Sequence, residues 1–289
     1  MAAGLVARDG SVVSSAVIPT RRDPDAPPFA AGAGHPAETL WDDLAGLVGA
    51  QIRARPGGDR LLVCGVGCGG PMTLGGEEVS PLNIPAWRGF PLRARLAECT
   101  GLPTFVDNDA KALALGEGWV GAAHGVRDYL AMVVSTGVGG GIVLDGRLLE
   151  GRLGNAGHIG HVVVVPGGRE CPCGARGCLE AEASGTAIAG ITGQPARLAP
   201  PDVVERTGTL VGRAVASVAN LLDLSLAVVS GSVALGFGAP FFAAAQAEMD
   251  QLCRLSFARG ARIVPGGLGE RGPLIGAARV GLRGASVDR

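Results

Sequence analysis

The sequence predicts an α/β protein with one structural metal loop. Three observations predict it. Strand-like apolar runs alternate with helix-like stripes along the chain. Four thiol and imidazole side chains crowd between His161 and Cys178. Acidic and glycine-rich turns follow directly on apolar strands, where open α/β sheets bind ligands.

Composition supports a folded core. The chain has 289 residues, 47% hydrophobic and 18% charged, which suits one large domain or two medium ones. A formal net charge of -1, with no basic block, argues against a nucleic-acid surface or an anionic membrane as partner. The longest apolar runs, such as Val162–Val165 and Leu226–Val229, fall far short of the roughly 20 residues a bilayer needs. No charged region followed by an apolar stretch opens the chain, so no signal peptide is expected and the cytoplasm is the default location. The odd count of seven cysteines disfavours a disulfide framework.

Taken in order, Leu5–Ala7 and Val12–Ile18 flank Arg8-Asp9-Gly10 and predict a β-hairpin. Thr20 to Pro36, rich in Pro, Gly and Ala, reads as a loop. Leu40, Leu44, Leu47, Val48 and Ile52 form a helical stripe over Glu38–Ala54, ended by Pro56-Gly57-Gly58. Leu61–Val66 reads as a buried strand, Leu92–Cys99 as a helix, Thr104–Val106 as a second buried strand and Ala110–Trp119 as a helix. Strands are expected at Tyr129–Ser135, Gly141–Leu144 and Val162–Val165. Val204, Val211, Val215, Val218 and Leu222 mark a long helix over Val203–Leu222. The strand Leu226–Ser230, a helix Pro240–Leu255, the strand Arg262–Val264 and an Ala-rich final helix complete the reading. No repeat of 20–50 residues is present.

His161, Cys171, Cys173 and Cys178 form H-x9-C-x-C-x4-C. Thiolate and imidazole are the donors zinc prefers, and four of them close a tetrahedral structural site with no place for a reactive water. Clustered exposed thiols would otherwise be a liability. Cys64, Cys68, Cys99 and Cys253 sit among apolar residues and read as small core residues.

Asp107-Asn108-Asp109 lies where a strand meets a helix. A carboxylate there can act as general base toward a hydroxyl, and Asn108 can bond neighbouring hydroxyls. The same residues also serve as helix N-caps, and different members of the triplet can hold the two roles. Ser135–Gly141 follows a strand, and its glycines let backbone N–H groups approach a phosphate, although a tight hairpin turn has the same composition. It lacks the Gly-Lys-Ser/Thr ending of a Walker A loop. Gly231-Ser232 is a second candidate for nucleotide contact.

Together these stretches resemble the ROK (repressor, ORF, kinase) family over almost the whole chain. Gly157-His158-Ile159-Gly160-His161, with Cys171 to Glu180, looks like its sugar-and-zinc signature. Val106–Glu117 resembles its catalytic segment, Ser135–Gly141 its second phosphate segment, and Ser80–Trp87 a sugar-proximal loop. The resemblance implies a two-lobed actin-like ATPase (ribonuclease H-like) fold, with the hexose in the cleft and lobe closure excluding water. Residues 1–106 would form a small lobe completed by a C-terminal helix at about 274–289, and 107–273 a large lobe holding the zinc. It implies Asp109 as the base for the sugar's primary hydroxyl, and Asn83, Asn108, His158, His161 and Glu180 as sugar contacts. Thr136, Gly137 and Gly231 would face ATP, which with Mg²⁺ supplies the phosphoryl group. His161 would hold zinc with one nitrogen and sugar with the other. A homodimer or homotetramer is also implied.

The chain departs from the family pattern twice. The family usually opens with a strand and an Asp-x-Gly-Gly-Thr-Lys phosphate turn. Met1-Ala2-Ala3-Gly4-Leu5-Val6 looks like the continuation just after it, so either the start is assigned too late or the protein lacks that turn, and impaired phosphoryl transfer is expected of the chain as written. His158 stands where the family commonly has Glu. A neutral imidazole accepts one hydrogen bond and donates one, which suits a glucose-like hexose or an N-acetylhexosamine differently from a carboxylate. The alternatives are a non-catalytic sugar sensor without a DNA-binding domain and, less compatible with the zinc loop, an acyl-phosphate kinase.

Overall fold

The structure is a computed structural model that describes residues 1–21 and 36–286. The expected loop over Thr20–Pro36 therefore lies mostly outside the described residues. In chain order the elements begin with β1 (Ala2–Val6), β2 (Val12–Val17), α1 (Ala37–Arg53) and β3 (Cys64–Cys68). Next come α2 (Leu92–Thr100), β4 (Thr104–Asn108), α3 (Asp109–Val120), β5 (Tyr129–Val134), β6 (Val138–Leu144) and β7 (Arg147–Leu148). The remainder is α4 (Leu179–Ala183), α5 (Gly185–Thr192), α6 (Pro201–Leu222), β8 (Leu226–Ser230), α7 (Ser232–Phe237), α8 (Ala239–Leu252), β9 (Arg262–Pro265) and α9 (Gly272–Gly284).

Two compact units divide the chain. The first holds the described residues of Met1–Val120, Glu150–Ala156 and Glu270–Arg289, and the second holds Gly121–Leu149 and Gly157–Gly269. The lobe boundary expected at residue 106 thus moves. Gly276 of α9 abuts the backbone of α3 so closely that a Cβ there would sit 2.4 Å from the Ala112 carbonyl oxygen, which ties α3 and α9 into one unit.

In the first unit, β1 and β2 pair antiparallel across the Asp-Gly turn, where the Asp9 carboxylate accepts the Ser11 backbone N–H (2.9 Å). β3 and β4 pair in parallel, with Cys68 opposite Asn108. The expected strand over Leu61–Val66 starts later because pairing begins at Cys64, whose N–H reaches the Pro103 carbonyl. These two-stranded sheets are separate. The outer edges of β1 and β3, together with apolar residues of α1 and α9 such as Val48 and Leu274, line a cavity of about 660 Å³. Among the described residues neither outer edge has a ladder partner.

The second unit is built on a sheet of order β7-β6-β5-β8-β9. β5, β8 and β9 are parallel, and β6 returns antiparallel to β5. Leu130, Met132 and Val229 are buried beside Val211 and Val215 of α6, which explains why these strands read as continuous apolar runs. The expected strand at Val162–Val165 does not form: Val163 makes one isolated bridge with Cys178, and the N–H groups of Val164 and Val165 both go to the Gly177 carbonyl. Those backbone groups serve the cysteine loop instead of a sheet ladder. No described helix is long and apolar enough to cross a membrane.

Candidate functional site

In the first unit, the predicted residues gather at the carboxyl ends of β3 and β4. Asn108 closes β4, and its Oδ1 accepts the N–H groups of Ala110 (3.0 Å) and Lys111 (3.4 Å), capping α3. That leaves its amide NH₂ as the donor for a ligand. Asp109 Oδ1 accepts the Ala110 N–H at 2.8 Å. Asn83 belongs to the same end: a Cβ on Gly69, just after β3, would lie 3.2 Å from its Oδ1. Cys68 sits beside them, and burial, aided by the Asp109 charge, pushes its thiol up to about 12.

Asp107 faces other partners. Its Oδ1 is 2.9 Å from the Lys111 ammonium, which also reaches Glu150 Oε2 at 2.5 Å. Arg283 binds the other Glu150 oxygen at 2.8 Å. Burial pushes the Asp107 carboxyl up, against the pull of Lys111. Burial acts on Glu150 in the same sense, but Lys111 and Arg283 outweigh it and hold that carboxyl below its ordinary value. No sequence motif singles out Lys111, Glu150 or Arg283.

In the second unit, Thr136, Gly137 and Gly231 lie at the carboxyl ends of β5 and β8, which are parallel and in register with Val133 opposite Ser230. The Ser135 and Ser232 hydroxyls hydrogen-bond at 2.9 Å and join the two turns. Gly231 has φ +102, and a Cβ there would meet the Val134 carbonyl oxygen at 2.3 Å, so no other residue fits without displacing backbone. Glu180, in the first turn of α4, accepts the Val138 N–H at 2.9 Å, and a Cβ on Gly137 would sit 2.7 Å from the same Oε2.

His161, Cys171, Cys173 and Cys178 converge, with one donor atom from each lying within 4.8 Å of all the others. His161 Nδ1 is 3.6 Å from Cys171 Sγ, and Cys173 Sγ is 3.8 Å from Cys178 Sγ. Tetrahedral thiolates with Zn–S bonds of about 2.3 Å stand about 3.8 Å apart, so the donor set and its spacing fit zinc. Burial pushes the Cys171 thiol up to about 12 and raises Cys178, while a hydrogen bond from the Ala175 backbone lowers Cys173. A divalent cation reverses this balance by deprotonating the thiols. The His158 ring stacks near His161, with centroids 6.2 Å apart and planes 18° from parallel.

A further carboxylate, outside every motif read in the sequence, braces this loop. Glu182, 2% exposed, accepts the Arg169 N–H at 2.7 Å and pairs with Arg206 at 2.5 Å. Its only sequence signal is an acid two residues beyond Glu180.

The glucokinase of Halalkalibacterium halodurans is 50% identical over 131 residues, covering 44% of this chain and 39% of that protein. The N-acetylmannosamine kinase of Citrobacter koseri is 41% identical over 175 residues, covering 55% of this chain and 60% of that protein. The matched regions thus span less than two thirds of these relatives' lengths. Among solved structures, a ROK family glucokinase from Streptomyces griseus in complex with glucose and AMPPNP superposes with TM-score 0.80 at 28% identity, covering 98% of this chain and 96% of that one. The ROK family model matches residues 31–283, and the chain belongs to the ROK family.

Proposed function

We propose that this protein is an ATP-dependent hexose kinase that phosphorylates the sugar's primary hydroxyl. The observation that carries the reading is the pairing of Asn108 and Asp109 at the carboxyl end of β4, with Asn83 beside them across Gly69. Capping occupies the Asn108 Oδ1, which leaves its NH₂ to donate to a sugar oxygen. Asp109 takes the proton of the primary hydroxyl as its oxygen attacks the γ-phosphorus of ATP. The new O–P bond forms while the bond to the β-phosphate oxygen breaks, and ADP leaves. Relatives named glucokinase and N-acetylmannosamine kinase support the acceptor class.

Thr136, Gly137 and Gly231 are the nucleotide residues in this reading, because their turns share one strand-end edge of the second sheet. His158, His161 and Glu180 contact sugar hydroxyls. His161, Cys171, Cys173 and Cys178 hold a structural zinc, with Nδ1 of His161 on the metal side and Nε2 left for sugar. The zinc would supply rigidity to the His158–Glu180 stretch and take no part in bond making. ATP brings Mg²⁺, which neutralises developing phosphate charge. His158 offers a donor as well as an acceptor, which favours an N-acetylhexosamine, whose carbonyl accepts, alongside glucose-like hexoses.

The test is an ADP-release assay against a hexose panel that includes N-acetylmannosamine, run on this chain and on one extended upstream in frame. Turnover with at least one hexose in either form supports the kinase reading. Sugar binding without turnover in both forms indicates a sensor, and absence of binding in both removes the sugar-directed reading altogether.

A further inference from the structure

We propose that Lys111 is a positioning residue for the hexose site, seating the Glu150–Ala156 segment against the helix that carries Asp109. The proposal rests on the kinase reading above and adds to it a residue outside the sugar contacts.

Glu150–Ala156 belongs to the first unit, although Leu149 before it and Gly157 after it belong to the second. Something must hold these seven residues to the first unit, and the residue directly beyond Gly157 is His158. Lys111 supplies the hold. Its ammonium donates to Glu150 Oε2 at 2.5 Å and to the Gly154 carbonyl at 3.1 Å, and it pairs with Asp107 Oδ1 at 2.9 Å. Three acceptors meet three N–H bonds, so the group is saturated. Arg283 grips the second Glu150 oxygen at 2.8 Å, and the Ala156 N–H returns to the Glu150 carbonyl at 3.0 Å, closing the segment on itself.

Asp107, Lys111, Glu150, Gly154 and Arg283 line a cavity of about 440 Å³ together with Met72, Leu74 and Val280, so directed polar contacts seat the segment beside a partly apolar wall. Lys111 is nevertheless 1% exposed. A buried ion pair stabilises a fold little compared with an apolar residue of similar volume. What it adds here is direction, toward three fixed acceptors.

The same helical turn carries the proposed base. Asp107 receives both the Lys111 ammonium and the Asn108 backbone N–H (2.8 Å), and Asn108 caps the Lys111 N–H. Displacing Lys111 therefore disturbs Asn108 through Asp107 and releases the Glu150–Ala156 segment, which precedes His158 in the sequence.

The experiment compares the wild type with Lys111→Met and Glu150→Gln, by steady-state kinetics and by amide hydrogen exchange over Gly151–Ala156. Lys111→Met should raise the sugar KM about tenfold to hundredfold, with the ATP KM within about twofold of wild type, and exchange over the segment should quicken. Lys111→Arg, which keeps the charge, should recover part of the sugar KM. A lowered Tm with unchanged sugar KM and unchanged exchange would mean a merely structural lysine and overturns the proposal. Should Lys111→Met fail to fold, Glu150→Gln decides: an unchanged sugar KM overturns it and a raised one supports it. If neither the wild type nor its upstream-extended form phosphorylates a sugar, the kinase reading fails by itself, and unchanged exchange in the variants overturns the anchoring separately.

Discussion

Asp109 and Cys68 share one strand-end, and they behave differently under substitution and under pH. Asp109→Asn keeps the shape of the helix start and removes the proposed base. The expected outcome is a kcat lowered about 10²–10⁴-fold, with sugar affinity by calorimetry within a few-fold of wild type. Cys68 contributes to the alkaline response. Its folded pKa, about 12, lies above the unfolded thiol value of about 8.5. Folding favours the neutral thiol, so its contribution is complete below the unfolded value and is lost as pH rises toward the folded one. Urea midpoints between about pH 8.5 and 12 should therefore fall less steeply in Cys68→Ala than in wild type. Gly231 is the residue at which backbone alone decides. Gly231→Ala places a Cβ 2.3 Å from the Val134 carbonyl oxygen at φ +102, and should cost about 3 kcal/mol, read from denaturant unfolding.

The cysteine loop shows what an element needs from its sequence. All its proposed ligands lie between His161 and Cys178, so the donor spacing was legible from the chain alone, and the structure brings those four side chains together. Purified protein should carry about one zinc per chain. Cys171→Ser should lose it, and exchange over Val162–Cys178 should then quicken. Most helices and strands were equally legible, because stripes such as Val211, Val215 and Val218 report burial directly. Val162–Val165 misled because four apolar residues look alike in a strand and in a loop folded onto a core; the backbone partner, Gly177, decides. Lys111 was illegible for another reason. Its partner Glu150 is 39 residues away, and a lone lysine in an Ala- and Leu-rich helix reads as a solvated side chain. The Lys111–Glu150 contact also has a pH signature. Glu150 is held below its unfolded value, so its contribution is present above about pH 4.3 and disappears as pH falls through the folded value. Glu150→Gln should accordingly flatten the acid limb of the stability profile.

At the scale of the whole molecule, the two units differ in how their sheets are closed. The second is organised around a five-stranded sheet whose β5 and β8 are buried beneath α6. The first divides its strands into two ribbons, β1–β2 and β3–β4, with about 660 Å³ of apolar-walled space lined by both. A lone ribbon is marginal in water, and α1 and α9 must supply what a continuous ladder would. Heat or protease should then reach the hairpin first. Native-state exchange should show the outward amides of Ala2–Val6 and Cys64–Cys68 equilibrating with solvent well before Leu130–Val134, so that melting starts as a fraying of the amino-terminal ribbon while the β5–β8 slab stays intact.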